Sequence, residues 1–163
     1  MSLPDLESDE TIARRLARLG IELPAAAPTP IGAFRNVRVT GNLAFVSGQG
    51  PVLADGTLLR GKVGADVTAE TAQDHARLVA VNILATLRDH LGDLERVTGV
   101  IKLLGLVNAT PDFERHPFVI DGASNLLADV FGEDGVHARS AFGVASLPNN
   151  ITVEIEAVFE IGD

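Results

Sequence analysis

Ile151-Thr152-Val153-Glu154-Ile155-Glu156-Ala157-Val158-Phe159-Glu160-Ile161 changes character at every residue. Ile151, Val153, Ile155, Ala157, Phe159 and Ile161 share one face of an extended chain; Thr152, Glu154, Glu156, Val158 and Glu160 share the other. A period of two predicts a strand with one buried face. Upstream, Val97 to Val107 reads as a longer strand of a different kind. Ile101 and Leu103 fall on one face, and Val100, Leu104 and Leu106 on the other. A strand apolar on both faces needs cover on both sides.

Two helices can provide half of that cover. Thr68 caps the first, with Glu70 in its first turn. Ala72, Ala76, Val79, Ile83 and Leu87 line its apolar stripe, widened by Ala80, Leu84 and Leu91, before Gly92 ends it. The second spans about Val119 to Phe131 and closes at Gly132. A hairpin is expected around Val37–Val39 and Leu43–Val46, turning at Gly41-Asn42, with Ser47-Gly48-Gln49-Gly50-Pro51 ending its second strand. A further strand is expected near Ala138–Ser146. The class is α+β, a mixed sheet with two helices packed on one face. No element is left for the other face, so burial predicts a homo-oligomer.

The N-terminal part stands apart. Ser8 is the expected cap of a short helix carrying Ile12, Leu16 and Leu19, which Gly20 ends. Pro24-Ala25-Ala26-Ala27-Pro28-Thr29-Pro30 follows as a stiff linker. Residues 1–30 therefore form an extension and residues 31–163 the main domain.

Composition narrows the function. A chain of 163 residues fits one domain. Lys and Arg total 13 against 22 Asp and Glu, a net charge of −9 that opposes binding to nucleic acid or anionic lipid. The 0 cysteines remove disulfides, thiolate nucleophiles and cysteine-ligated metal, and fit a reducing compartment. No apolar run is long enough to span a membrane, and Met1-Ser2-Leu3-Pro4-Asp5 lacks the pattern of a secretory signal. A soluble cytoplasmic protein is expected. No nucleophile-elbow, zincin, Walker or dinucleotide-binding motif occurs, and the four histidines (His75, His90, His116, His137) show no metal spacing.

The informative stretch is His137-Ala138-Arg139-Ser140-Ala141-Phe142-Gly143-Val144-Ala145-Ser146-Leu147-Pro148. His137, Arg139, Ala141, Gly143 and Ala145 share a face that is nearly bare beyond the first two. A guanidinium there is expected to project into open space and suits two-point capture of a carboxylate. The competing reading is a structural ion pair with Glu154 or Glu156. Lys62, between glycines, is expected at the surface.

An ordered set of motifs from Pro30 onward resembles the Rid (YjgF/UK114) family of enamine/imine deaminases, in its longer subgroup labelled endoribonuclease. The set runs Pro30-Ile31-Gly32-Ala33-Phe34, Ser47-Gly48-Gln49, Gly61-Lys62-Val63-Gly64, Gly92-Asp93-Leu94 and Gly122-Ala123-Ser124. It closes with the Arg139–Pro148 stretch and Val153-Glu154-Ile155-Glu156. The resemblance implies a chorismate-mutase-like fold and a homotrimer around a central β-barrel, with sites between subunits and no cofactor or metal. It implies that Arg139 grips a substrate carboxylate, that the Ala141 N–H assists, and that Glu154 serves the attacking water. Phe34, Ser47, Gly48 and Asp121 take substrate-binding positions. Three residues depart from the family pattern: Phe34 stands for a common tyrosine, Ala141 for a common cysteine, and Asp121 for a common asparagine. An added carboxylate near an anionic substrate is unfavourable unless it is protonated or paired with a cation. The implied activity is hydrolysis of 2-imino acids to 2-keto acids and ammonia. The alternative is a non-catalytic trimer that binds small carboxylates and regulates a partner; ribonuclease activity conflicts with the net charge.

Overall fold

The computed structural model describes residues 10–163. Five strands form one sheet in the order β1-β2-β5-β3-β4: β1 Val37–Thr40, β2 Leu43–Gln49, β3 Val97–Asn108, β4 Ala138–Val144 and β5 Val153–Ile161. Neighbours are antiparallel except β3 and β4, which run parallel. A parallel pair needs a crossover, and helix α3 (His116–Phe131) supplies it. Helix α2 (Ala69–Leu91) joins α3 on the same face of the sheet. The mixed sheet with helices on one side agrees with the α+β expectation.

Helix α2 forms where its stripe and caps predict. Thr68 accepts the Thr71 N–H, and Gly92 closes the helix at φ 84°, a left-handed conformation costly for any other residue. Its stripe, Ala72, Ala76, Val79, Ile83 and Leu87, is fully buried against Val46, Val153, Ile155 and Phe159 of the sheet and the apolar side of α3. Helix α3 begins at His116, three residues before the expected Val119. Pro117 sits in its first turn, where a missing N–H costs nothing.

Three local expectations are corrected. The alternation of β3 breaks at Ile101, which lies between the pairs Val100–Phe159 and Lys102–Val158. This extra residue shifts the phase, so Val100 and Leu103 both face the helices while Ile101 joins Leu104 and Leu106 on the other side. Thr152 precedes β5 and is buried, its Oγ1 2.7 Å from His75 Nδ1, instead of lying on the polar face. Lys62 is held, its Nζ donating to Asn108 Oδ1 at 2.8 Å and to the Ala145 carbonyl.

Helix α1 covers Ile12–Arg18 and is capped by Thr11, whose Oγ1 accepts the Arg14 N–H. The expected cap Ser8 lies outside the described residues. Ile12, Leu16 and Ile21 join the main core, and Arg15 Nη1 donates to the Val130 carbonyl at 2.6 Å. The proline-rich segment is then strapped along α2. Pro24 O accepts from Arg88 Nη2 at 2.7 Å, and the Ala27 N–H donates to Asp89 Oδ2 at 2.7 Å.

Among the described residues, nothing covers the sheet face away from the helices. Phe45 is 43% exposed there, Phe142 46% and Ile101 43%. Arg38, Phe45, Lys102, Leu104, Glu156 and Val158 line a shallow hollow of about 420 Å³ on this face. Among the described residues, no helix is long and apolar enough to cross a membrane.

Candidate functional site

Arg139 leaves β4 on the helix-covered face and lies against α3. Its Nη1 donates to Asp121 Oδ1 at 2.7 Å and to Ser124 Oγ at 3.1 Å, and Nη2 makes a long 3.4 Å contact to the Pro117 carbonyl. The expectation of open space is thus corrected: three residues one turn apart on α3 meet the guanidinium. An ion pair does form, as the competing reading held, but with Asp121 instead of Glu154 or Glu156. The strand's parity explains this, because those glutamates point to the opposite side of the sheet.

Ser124 is fixed in turn. His137 Nδ1 lies 2.7 Å from the Gly135 carbonyl, which can only accept, so Nδ1 carries the proton and Nε2 is bare. The Ser124 hydroxyl, 3.0 Å from Nε2, then donates to it and turns its lone pairs toward Arg139. Burial pushes the His137 pKa below the ordinary histidine value; the Gly135 hydrogen bond opposes this, and the Arg139 charge adds a smaller lowering. Asp121, Ser124, Asn125, Val136, His137 and Arg139 together line an open cleft of about 340 Å³.

A second hollow, of about 170 Å³, holds Glu154. Phe34 and Gly48 line it with Glu154, as do Pro28, Pro30 and Ile31 of the proline-rich segment. Gly48 lets the carboxylate lie close: a Cβ at this position would stand 2.9 Å from Glu154 Oε2 and displace it. Desolvation raises the Glu154 pKa, and the charge of Glu156 adds to the effect.

The site residues therefore fall into two groups within one chain. Asp121 and Arg139 meet in one cleft; Phe34, Gly48 and Glu154 meet in the other. The register places the two clefts on opposite faces: Arg139 pairs with buried Leu103, whereas Glu154 pairs with Leu106 on the uncovered face. Ser47 turns away from both, its Oγ donating to the Arg35 carbonyl at 2.6 Å while the residue borders the open sheet face. Ala141 packs against the core.

The sequence and fold have counterparts among known proteins. The family model described as "YjgF/chorismate mutase-like, putative endoribonuclease" matches residues 13–160. The chain belongs to the YjgF family. It is 47% identical to Atu1372, a protein of unknown function from Agrobacterium tumefaciens, with a TM-score of 0.84 over 93% of this chain and 92% of that one. It is 41% identical to Protein TCP17 of Trypanosoma cruzi over 93% of this chain and 95% of that one. The 2-iminobutanoate/2-iminopropanoate deaminase of Escherichia coli is 31% identical over 81% of this chain and 90% of that one. The YjgF match begins one residue after the start of α1, so it takes in most of that helix and the proline-rich segment as well as the sheet.

The sequence marks Ser124 as part of a motif without giving it a function, and carries Pro28–Ile31 in a linker and a motif without placing them in the wall of a site. Ser124 lies three residues after Asp121, a spacing that puts both on one helix face. That signal was available once Asp121 had been singled out. The wall had none, because which surface a linker lies on is decided by remote partners such as Arg88 and Asp89.

Proposed function

We propose that the protein is a deaminase that hydrolyses 2-imino acids of the 2-aminoacrylate type to 2-keto acids and ammonia. The observation that carries this reading is Arg139, held in an open cleft with its Nε–Nη2 edge less engaged than Nη1. That edge is suited to two-point capture of a carboxylate. Similarity to a relative named as an iminobutanoate deaminase supports the same reaction. Water adds to the imine carbon, giving up a proton to Glu154; the nitrogen is protonated and leaves as ammonia when the carbonyl forms. The substrate is already electrophilic, so positioning supplies most of what is needed, and no cofactor takes part.

Glu154 cannot reach Arg139 within its own chain. A second copy is therefore part of the proposal: a homotrimer whose uncovered sheet faces pack together, setting the Glu154 hollow of one subunit beside the Arg139 cleft of its neighbour. The exposed Phe45, Ile101 and Phe142 support such burial. The absence of cysteine fits work in the reducing cytoplasm.

The test couples a dehydratase that releases 2-aminoacrylate to timed appearance of pyruvate. The protein is expected to accelerate that step, with Arg139→Ala and Glu154→Gln each lowering the acceleration by about 100-fold. Full activity in Arg139→Ala refutes the carboxylate clamp. A second reading, a non-catalytic carboxylate binder, draws support from the separation of Arg139 from Glu154 on opposite faces of the sheet; tight keto-acid binding without acceleration would establish it.

A further inference from the structure

The Arg139 cleft is not a bare cationic site. Both Nη1 hydrogens are engaged, one by Asp121 Oδ1 and one by Ser124 Oγ. Only the Nε–Nη2 edge is left to a ligand, since the Pro117 contact to Nη2 is long. Asp121 holds Arg139 through one oxygen; Oδ2 has no partner among the described residues, and the side chain is 44% exposed. Burial favours the neutral form of the His137 imidazole, so that ring is not a second fixed cation beside Arg139. Asn125, the other polar residue lining the cleft, carries no charge. The cleft thus presents one positive and one negative pole, side by side, with no net charge.

A lone carboxylate gains little from such a pair. Its attraction to Arg139 is offset by repulsion from Asp121, a like charge next to the first. A ligand carrying its own cation one carbon from its carboxylate is different. Its carboxylate takes the Nε–Nη2 edge while its nitrogen lies toward Oδ2, so each charge meets its opposite.

We propose that Asp121 and Arg139 form a two-pole site that selects zwitterions over simple carboxylates. The inference rests on the deaminase reading and deepens it. A protonated 2-imino acid is a zwitterion, with a C=NH2 cation beside the carboxylate. Hydrolysis converts it with water to a 2-keto acid anion and an ammonium ion, and charge balances. The organic product then lacks the cationic pole. Asp121 holds the substrate and repels the keto acid, which makes it a determinant of specificity and of product release.

The experiment is calorimetric titration of the full chain with L-alanine, a stable zwitterion, and with pyruvate, which has the same carbon skeleton and no nitrogen. Wild-type protein is expected to bind alanine about tenfold more tightly than pyruvate, the range of one charge-assisted hydrogen bond. Asp121→Asn is expected to weaken alanine and strengthen pyruvate, reversing the order, and Arg139→Ala to lose both. The wild-type comparison stands even if a variant misfolds. The proposal is overturned if pyruvate binds wild type as tightly as alanine, if neither binds, or if folded Asp121→Asn leaves the ratio unchanged. Imine hydrolysis measured on the same samples separates the two readings. Acceleration without the reversal removes the two-pole site alone; reversal without acceleration removes the deaminase and leaves a zwitterion-binding site.

Discussion

Ser124 stands between partners with opposite demands: His137 takes its proton and Arg139 takes its lone pair. The chain Gly135–His137–Ser124–Arg139 therefore has one consistent direction of donation only while His137 is neutral. The pH dependence follows. His137 is depressed by burial in the folded chain, so as pH falls through the ordinary histidine value, about 6.5, the unfolded chain takes up a proton first. The stabilising contribution is present above that pH and is lost as pH falls toward the lower folded value. The gap in Tm between wild type and His137→Gln should be largest near pH 7.5 and narrow toward pH 5.5. His75 is depressed in the same direction and is unaltered in both proteins, so it cancels from the gap. A gap constant across that range would show that His137 protonation is not coupled to folding. At this scale the sequence singled out Asp121 and Arg139 but not their pairing. Asp121 read as a carboxylate in need of a cation, and Arg139 as a cation in need of a carboxylate. That each answers the other depends on how α3 lies over β4, which neither segment encodes by itself.

Helix α2 was legible to the residue because its signals are local: an apolar stripe, a threonine cap and a left-handed glycine. The shift in β3 was not legible, because a bulge is defined against the partner strand and Ile101 is as good a strand residue as its neighbours. Helix α1 shows the same limit, for Ser8 and Thr11 are equally good caps and only the tertiary contacts of Ile12 and Leu16 choose between positions. Contact between α2 and α3 rests on Gly122, where an added Cβ would lie 2.0 Å from the Gln73 carbonyl oxygen. That obstacle is backbone, so the helices themselves must separate. Gly122→Ala is expected to cost about 1–3 kcal/mol, with the intrinsic helix preference for alanine recovering part of it. Urea unfolding measures the difference; an unchanged midpoint would show that the two helices can part freely.

At the scale of the whole molecule, the two clefts of the proposed site lie on opposite sides of one sheet. If neighbouring subunits join them, defects in different clefts should complement. Arg139→Ala and Glu154→Gln, each strongly impaired alone, are expected to regain activity when co-expressed, since random mixing leaves about a quarter of the interfaces with an intact Arg139 facing an intact Glu154. The readout is imine hydrolysis by mixed oligomers separated by two affinity tags. Activity no greater than that of the separate variants would mean that each site is built from one chain. The fold's outline was readable because alternation and helical stripes are strong, whereas the division of the site was hidden in strand parity, which only the register of β3 with both neighbours reveals.

The Pro24–Ile31 strap adds a consequence for how such a protein can change over generations. It is tied down by contacts such as those to Arg88 and Asp89, outside the strand ladder, yet it furnishes one side of the hollow around Glu154. Insertions or swaps there would reshape what the hollow admits while the sheet keeps its pairing. A lineage could trade one ligand for another by editing a few residues of this fringe and leaving the scaffold alone.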